Sequence, residues 1–439
     1  MQAVGLKHKQ RSELTFKFNR QQGRHGWLRL TPAYSLRLVS DILDTHPHAT
    51  NVLDPFSGTS TTPLAAAYCG IPATGYELNP FLYWFGTVKC MTFTKAVLQK
   101  TRDISACVAK HLNGPLDPEP PPAIHNISRW WNTSELDFLC RLKAALSAPE
   151  VKADVQVHSL LLVAFCRLVI SLSNAAFNHQ SMSFKDKQNT TNKCHQLSLF
   201  PQASFQDRFL QEVNFVLEGA EVNPGASVSI FQGDSRNLDQ LQDKQYDLLI
   251  TSPPYPNRIS YIRELRPYMY WLGYLHDARE AGELDWRAIG GTWGIATSRL
   301  TTWRSRKDWE YPTYFKAFLA AVRHSDNRNG LLLANYVAKY FEDIWEHLKN
   351  VKRVMTCGGE VHYIVGNSVF YNNLLPVEKI YRDMFLQLGF TKPEYTIIRK
   401  RNSKKELYEF DVVGIVSTQL GVWQANNFMK TDRANSAPF

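Results

Sequence analysis

The apolar positions of this chain fall into short runs closed by turns, separated by stretches of helical period. Asn51-Val-Leu-Asp-Pro-Phe56 is an apolar run ending in a turn; Gly58, Thr59 and Ser60 follow, and Thr61 to Cys69 reads as a helix. Ile71 to Tyr76 is a second short strand, ending at Glu77. Two parallel strands joined by one helix make the βαβ start of a doubly wound sheet. The strand pattern resumes at Val228-Ser-Ile-Phe231, which ends at Gly233-Asp234, and at Asp247-Leu-Leu-Ile250, which runs into Thr251-Ser-Pro-Pro-Tyr255. Val361 to Val365 reads as a strand after Gly358-Gly359. Tyr395–Arg399 and Phe410–Val416 read as a closing hairpin across the basic turn Lys400–Lys405. The expected fold is α/β: a doubly wound, mostly parallel, seven-stranded Rossmann-like sheet with a helical insertion.

The insertion is marked by a break in composition. Pro115-Leu-Asp-Pro-Glu-Pro-Pro-Pro122 cannot continue a helix or a central strand and reads as a linker. Ser134 to Asn174 looks helical, with Ser134 and Asp137 spaced as a capping box. Leu160 to Phe177 is the longest apolar stretch, but Arg167 at its middle argues for a buried helix rather than a membrane span. His179 to Ala203 is polar, without periodicity, and reads as a loop. The expected division is a basic N-terminal region (1–50), the first part of the sheet domain (51–114), linker and insertion (115–225), the second part of the sheet domain (226–425) and a tail (426–439).

The formal net charge of +10 favours polyanionic partners. Seven scattered cysteines without a CxxC pair fit a reducing cytosol and exclude a zinc-ribbon signature; the neighbours Cys194 and His195 read as part of a polar loop. The N-terminus lacks the apolar run of a secretory signal, so a cytoplasmic setting without membrane is expected.

Two segments carry candidate chemistry. Asp54-Pro-Phe-Ser-Gly-Thr-Ser60 sits at a strand's carboxyl end before a helix, where doubly wound sheets bind ligands, and Gly58 permits close approach to the backbone. Glu77, after the next strand, is placed to accept from two ribose hydroxyls, and Asp234, after the third, from an adenine amino group. Either carboxylate also fits a solvated strand end. In Thr251-Ser-Pro-Pro-Tyr255 the prolines fix an extended backbone and remove two donors, leaving the Ser252 and Pro253 carbonyls and the Ser252 hydroxyl as acceptors for an NH₂ group. Tyr255 offers a face on which a base can stack.

With these residues the chain resembles the amino-methyltransferases of restriction–modification systems, which modify cytosine N4 or adenine N6. Asp54–Ser60 matches their Asp-Pro-Phe-x-Gly-x-Gly motif, with Ser60 in place of the second glycine. Ser252–Tyr255 matches their Asp/Asn/Ser-Pro-Pro-Tyr/Phe motif. The likeness covers residues 25–90 and 226–417, and the motif order resembles the α-type arrangement. It implies S-adenosyl-L-methionine as cofactor, held by Pro32, Asp54, Pro55, Phe56, Gly58, Thr59, Glu77, Asn79 and Asp234. It implies Ser252, Pro253, Pro254 and Tyr255 as the catalytic loop, direct transfer without a metal, and double-stranded DNA with a flipped-out base as substrate. Ser at the first motif position favours cytosine N4 over adenine N6. A functionally paired restriction endonuclease is a further implied partner. Lys185, Lys187, Arg258, Arg299, Arg304 and Arg306 are the expected DNA contacts, and residues 123–225 the expected target-recognition region. The aromatic stripe Tyr268, Tyr270, Trp271 and Tyr274 reads as helix core. An RNA amino-methyltransferase and a catalytically inactive DNA-binding relative remain alternatives.

Overall fold

The computed structural model describes residues 11–28, 34–112, 114–176, 183–184, 203–325, 329–401 and 406–417. Seven strands form its main sheet: β1 (Val52–Asp54), β2 (Ala73–Glu77), β3 (Val228–Gln232), β4 (Tyr246–Thr251), β5 (Met355–Gly366), β6 (Phe390–Lys400) and β7 (Tyr408–Val416). They lie in the order β6-β7-β5-β4-β1-β2-β3. Pairings from β3 to β5 are parallel, and β7 runs antiparallel between β5 and β6. This is the mostly parallel Rossmann-like arrangement of methyltransferase folds. The chain winds outward from β1 through β2 to β3, then returns to place β4 on the other side of β1. That reversal opens a crevice at the carboxyl ends of β1 and β4.

The strands carry the expected signatures. Five of the six β4 residues are buried, as befits a central strand covered on both faces. Pro393 falls in the edge strand β6 at a register shift, where a missing donor is tolerated. β5 starts earlier than the Gly358-Gly359 pair suggests. Gly358 takes φ +80° inside the strand, and the register against β4 shifts there, so the glycines mark an irregularity and not a strand end.

Alternate residues of the central strands face different helical layers. Val52, Leu248, Ile250 and Ile364 pack against helices α1 (Leu36–Thr45) and α2 (Thr61–Tyr68). Leu53, Leu249, Val361, Tyr363 and Val365 belong to the core on the other face, with residues of two later helices, Gly330–Val354 and Val377–Gln387.

After β2, α3 (Pro80–Cys90) leads into a helical body of α4 (Lys95–His111), α5 (Thr133–Leu146), α6 (Val155–Ser171) and α7 (Phe205–Ala220). Its core is continuous with Phe81 and Phe85 of α3 and with Met269 and Trp271 of α8 (Tyr261–Trp271), the helix that follows the Pro-Pro loop. Tyr268, Tyr270 and Trp271 are buried there, which makes that stripe core. α4 precedes the Pro-rich stretch in sequence yet packs on α6 and α7 beyond it. Arg167 is accommodated by an ion pair to Glu212 at 2.5 Å and a hydrogen bond to the Trp27 carbonyl at 2.7 Å. No described helix is long and apolar enough to cross a membrane.

The capping box falls elsewhere than expected. Asn132 is the N-cap of α5, and the Ser134 hydroxyl donates to Glu135 instead of closing on Asp137. The reciprocal pair is Ser204 with Asp207 at the start of α7.

Arg24 anchors the N-terminal segment. Fully buried, it donates to the carbonyls of Gly219, Ala220, Lys89 and Met91 and to Asn223 Oδ1. Carbonyls at the ends of two helices suit a cation, so one guanidinium ties residues 11–28 to α3 and α7.

Candidate active site

The loop after β1 is wound tightly. Gly58 has φ +51° and Ser60 φ +53°, both left-handed. Ser60 thus adopts the conformation in which the family motif has glycine, a strain of about 1 kcal/mol. Its compensations are visible. Ser60 N–H donates to the Ser57 carbonyl at 2.7 Å, the two serine hydroxyls lie 3.1 Å apart, and Gly86 on α3 leaves room where a Cβ would collide with Ser60 Oγ. The buried Lys89 ammonium donates to the Thr59 carbonyl at 2.6 Å, and burial brings its pKa down to about 7.

Glu77 joins this loop to the next. Its carboxylate accepts from Gly58 N–H and from Asn79 N–H, each at 2.8 Å, and Asn79 in turn caps α3 by accepting from Phe81 N–H at 2.9 Å. Burial pushes Glu77 up to about 7 despite those two donors. Asp234 is gripped by the Arg236 guanidinium through both oxygens. Burial opposes its charge, but Arg236 holds it below the usual carboxylate range.

Asp54 sits behind the loop rather than in it. Fully buried, it accepts from Phe56 N–H at 3.2 Å, from Thr251 Oγ1 at 2.6 Å and from the Tyr34 hydroxyl at 3.3 Å. Burial drives its pKa up to about 6, and those donors pull against the rise. Through Thr251 it connects the end of β1 to the end of β4.

The Ser252–Tyr255 loop leaves β4 beside this connection. Ser252 Oγ donates to the Ile364 carbonyl of β5 at 3.1 Å, and the Tyr340 hydroxyl donates to the Pro254 carbonyl at 2.8 Å. The Tyr255 hydroxyl donates to Glu409 Oε1 at 2.8 Å; Glu409 also holds Arg399 at 2.7 Å. The Arg401 guanidinium lies over the Tyr255 ring, 5.2 Å from its centroid, and donates to the Asn367 carbonyl. Burial raises the Tyr255 phenol well above its ordinary value, which keeps it neutral.

Both loops open on one cavity of about 830 Å³. Pro55, Phe56, Gly58, Thr59, Glu77, Asn79 and Asp234 line it together with Ser252, Pro253, Pro254 and Tyr255; so do Phe16, Lys17 and Arg20 of the N-terminal segment. Pro32 lies outside the described residues.

The expected DNA contacts are dispersed. Arg258 is exposed in the loop following Tyr255, with φ +64°, its N–H donating to the Tyr336 hydroxyl at 3.2 Å. Arg299 makes a two-pronged pair with Glu283, and Arg306 pairs with Glu342 and Asp343. Arg304 is exposed. Lys185 and Lys187 lie outside the described residues, as does nearly all of Asn178–Cys194.

Sequence reasoning missed Arg399, Arg401 and Glu409, which line the cavity from the closing hairpin. The signal was there: Arg399 and Arg401 share a face by the two-residue period of a strand, and the hairpin register sets Arg399 opposite Glu409.

No family model matches the chain. Over 462 aligned positions, spanning 94% of this chain and 88% of the relative, it is 20% identical to the type II methyltransferase M.BsoBI of Geobacillus stearothermophilus. The similarity therefore extends well beyond the two loops.

Proposed function

We propose that this chain is an S-adenosylmethionine-dependent DNA methyltransferase that modifies an exocyclic amino group, cytosine N4 in preference to adenine N6, on a base flipped out of the duplex. One observation carries the reading: the Gly58–Glu77 loops and the Ser252-Pro-Pro-Tyr255 loop, far apart in sequence, line a single cavity at the sheet's switch point. The similarity to a type II methyltransferase along nearly the whole chain supports it.

The residues fit the methyl donor. Glu77 is a half-buried carboxylate with acceptor capacity beyond its two backbone donors, suited to a ribose diol. Gly58 brings the backbone close to a ligand, and the cavity is of the size that small-molecule sites have. When bound, S-adenosylmethionine supplies a methyl group made electrophilic by its sulfonium. The protein's part is to hold the acceptor nitrogen in line. Ser252 and the Pro253 carbonyl accept from the NH₂ and stabilise the positive charge that grows on nitrogen. Tyr255, fixed by Glu409, stacks on the base. Arg401 covers that ring face in this structure and vacates it or slides along it when a base arrives.

The test is radiolabelled methyl transfer to double-stranded DNA, with RNA of the same sequence as control, followed by nucleoside analysis. N4-methylcytosine in DNA supports the full reading. N6-methyladenine replaces the base assignment, product in RNA alone replaces the substrate, and cofactor binding without any product makes the chain an inactive relative.

A further inference from the structure

Beneath the C-terminal end of α1, three side chains converge that take no part in the cavity. His46 follows the last residue of α1. Glu360 and His362 are two residues apart on β5 and project from the same face of the sheet. His46 Nε2 is 3.4 Å from Glu360 Oε1, and His362 Nε2 is 3.1 Å from the same oxygen. All three potential ligand atoms lie within 4.8 Å of one another.

The opposite ring nitrogens face oxygens. His46 Nδ1 is 2.9 Å from the Ile42 carbonyl and 3.1 Å from Thr45 Oγ1; His362 Nδ1 is 2.8 Å from Asp411 Oδ2. A ring nitrogen facing a carbonyl or carboxylate carries the proton, so in the neutral rings both Nε2 atoms hold lone pairs. Those lone pairs are turned on a carboxylate oxygen. A cation among the three holds them together: in the free protein a proton on His362, shared with Glu360 and Asp411, and a metal ion can take that proton's place.

The spacing suits a particular cation. Ligand atoms about 2.0–2.2 Å from a tetrahedral zinc lie roughly 3.3–3.6 Å from each other, close to both Glu360 separations. Two imidazoles that ligate through Nε2 while Nδ1–H is held by a carboxylate or a carbonyl are the usual outer support of such a site. Glu360 and Asp411 together carry two negative charges, which a divalent ion balances. His46 and Glu360 side chains are 21% and 31% exposed, so an ion reaches them from solvent and water completes its coordination.

We propose that His46, Glu360 and His362 bind a divalent transition metal of the zinc class, with Asp411 and the Ile42 carbonyl orienting the two imidazoles. The ion bolts the end of α1 to β5. It stands apart from the cavity, and the methyl transfer proposed above needs none of it.

The experiment strips the full-length protein with a chelator and titrates Zn²⁺ against a chromophoric competitor at about pH 8, the metal competing with the proton that His362 shares with Glu360 and Asp411. Wild type is expected to take up one equivalent and to unfold at a higher temperature with zinc than without. His46→Asn and Glu360→Gln are expected to lose the equivalent, and Asp411→Asn to weaken it roughly 10- to 100-fold. Co²⁺ in place of zinc is expected to give the visible absorption of a four-coordinate ion in wild type and not in His46→Asn or Glu360→Gln. His46→Asn changes a half-buried residue past a helix end; a circular dichroism spectrum matching wild type confirms that it folds. Failure of wild type to bind, or equal uptake by wild type and His46→Asn, overturns the proposal and leaves a proton shared among His362 and its carboxylates as what holds the cluster.

Discussion

Replacing Glu77 by Gln tests the cofactor assignment with the least disturbance of shape. The wild-type carboxylate accepts two backbone N–H bonds at 2.8 Å and keeps lone pairs for a ligand diol. Gln offers one accepting atom, and its NH₂ turns a donor toward either Gly58 N–H or Asn79 N–H. The variant therefore loses charge assistance to the ligand and mispairs one loop donor. A lost pair of charge-assisted hydrogen bonds amounts to about 1–3 kcal/mol, or roughly 5- to 150-fold in Kd for S-adenosylmethionine. The pH dependence is the sharper signature. The rise from an ordinary 4.5 to about 7 is the net of burial and the nearby Asp54 against the backbone donors, and corresponds to a disfavouring of the charged form on the order of 3 kcal/mol. A carboxyl raised in the folded state stabilises the free protein fully below the unfolded pKa, and that contribution is lost as pH rises through about 7. Diol binding has the opposite requirement, since it needs the ionised form. Wild-type affinity is thus expected to fall as pH drops below about 7, up to tenfold per pH unit, while Glu77→Gln stays flat in that window. Isothermal calorimetry from pH 5.5 to 8.5 (about this range spans the transition) reads both quantities. A variant Kd within a factor of about two of wild type, or parallel pH profiles for the two proteins, would refute the assignment.

Ser252→Ala and Tyr255→Ala are expected to cut methyl transfer by roughly 10²-fold or more while cofactor affinity stays near wild type; paired transfer and binding assays check it, and full activity in both removes the catalytic assignment. Gly86→Ala pushes a methyl group onto Ser60 Oγ and is expected to weaken cofactor binding and lower the unfolding midpoint. Adding Ser60→Gly removes the collision, so a double-mutant cycle should show positive coupling, and strict additivity argues against the contact. Arg24→Met leaves four carbonyls and Asn223 without their shared donor, with an expected loss of about 3–5 kcal/mol in chemical denaturation; a change under about 1 kcal/mol contradicts the clamp.

What was legible in the sequence was local. The β1 turn, the strand ending at Glu77 and the Ser-Pro-Pro-Tyr loop each combine an apolar run with residues of fixed backbone preference, and each lies where that pattern puts it. The closing hairpin was readable for the same reason. Long-range pairings were not. Nothing near Asp54 in sequence says that its oxygens face Thr251 and Tyr34, and nothing near Arg24 announces four carbonyls from α3 and α7. Charge was a poor guide to function in the second basic cluster, because Arg299 and Arg306 meet carboxylates supplied by other helices. The Pro-rich stretch shows the same limit: prolines end helices, but α4 on one side and α6 and α7 on the other still share a core.

The hydrogen bond from Thr251 to Asp54 has a consequence for how such a molecule tolerates change. The turn after β1 and the Ser252–Tyr255 loop hang from neighbouring strands whose tips are riveted together at 2.6 Å, out of reach of water. Their offset is set by the rivet and the strand register, independently of any ligand. A drift of outer helices, or a rewritten surface, carries both loops along as one piece and leaves that offset alone. Only a change between the two tips alters it. Divergence over most of the chain is therefore mechanically cheap, while the few atoms at this seam have almost no latitude.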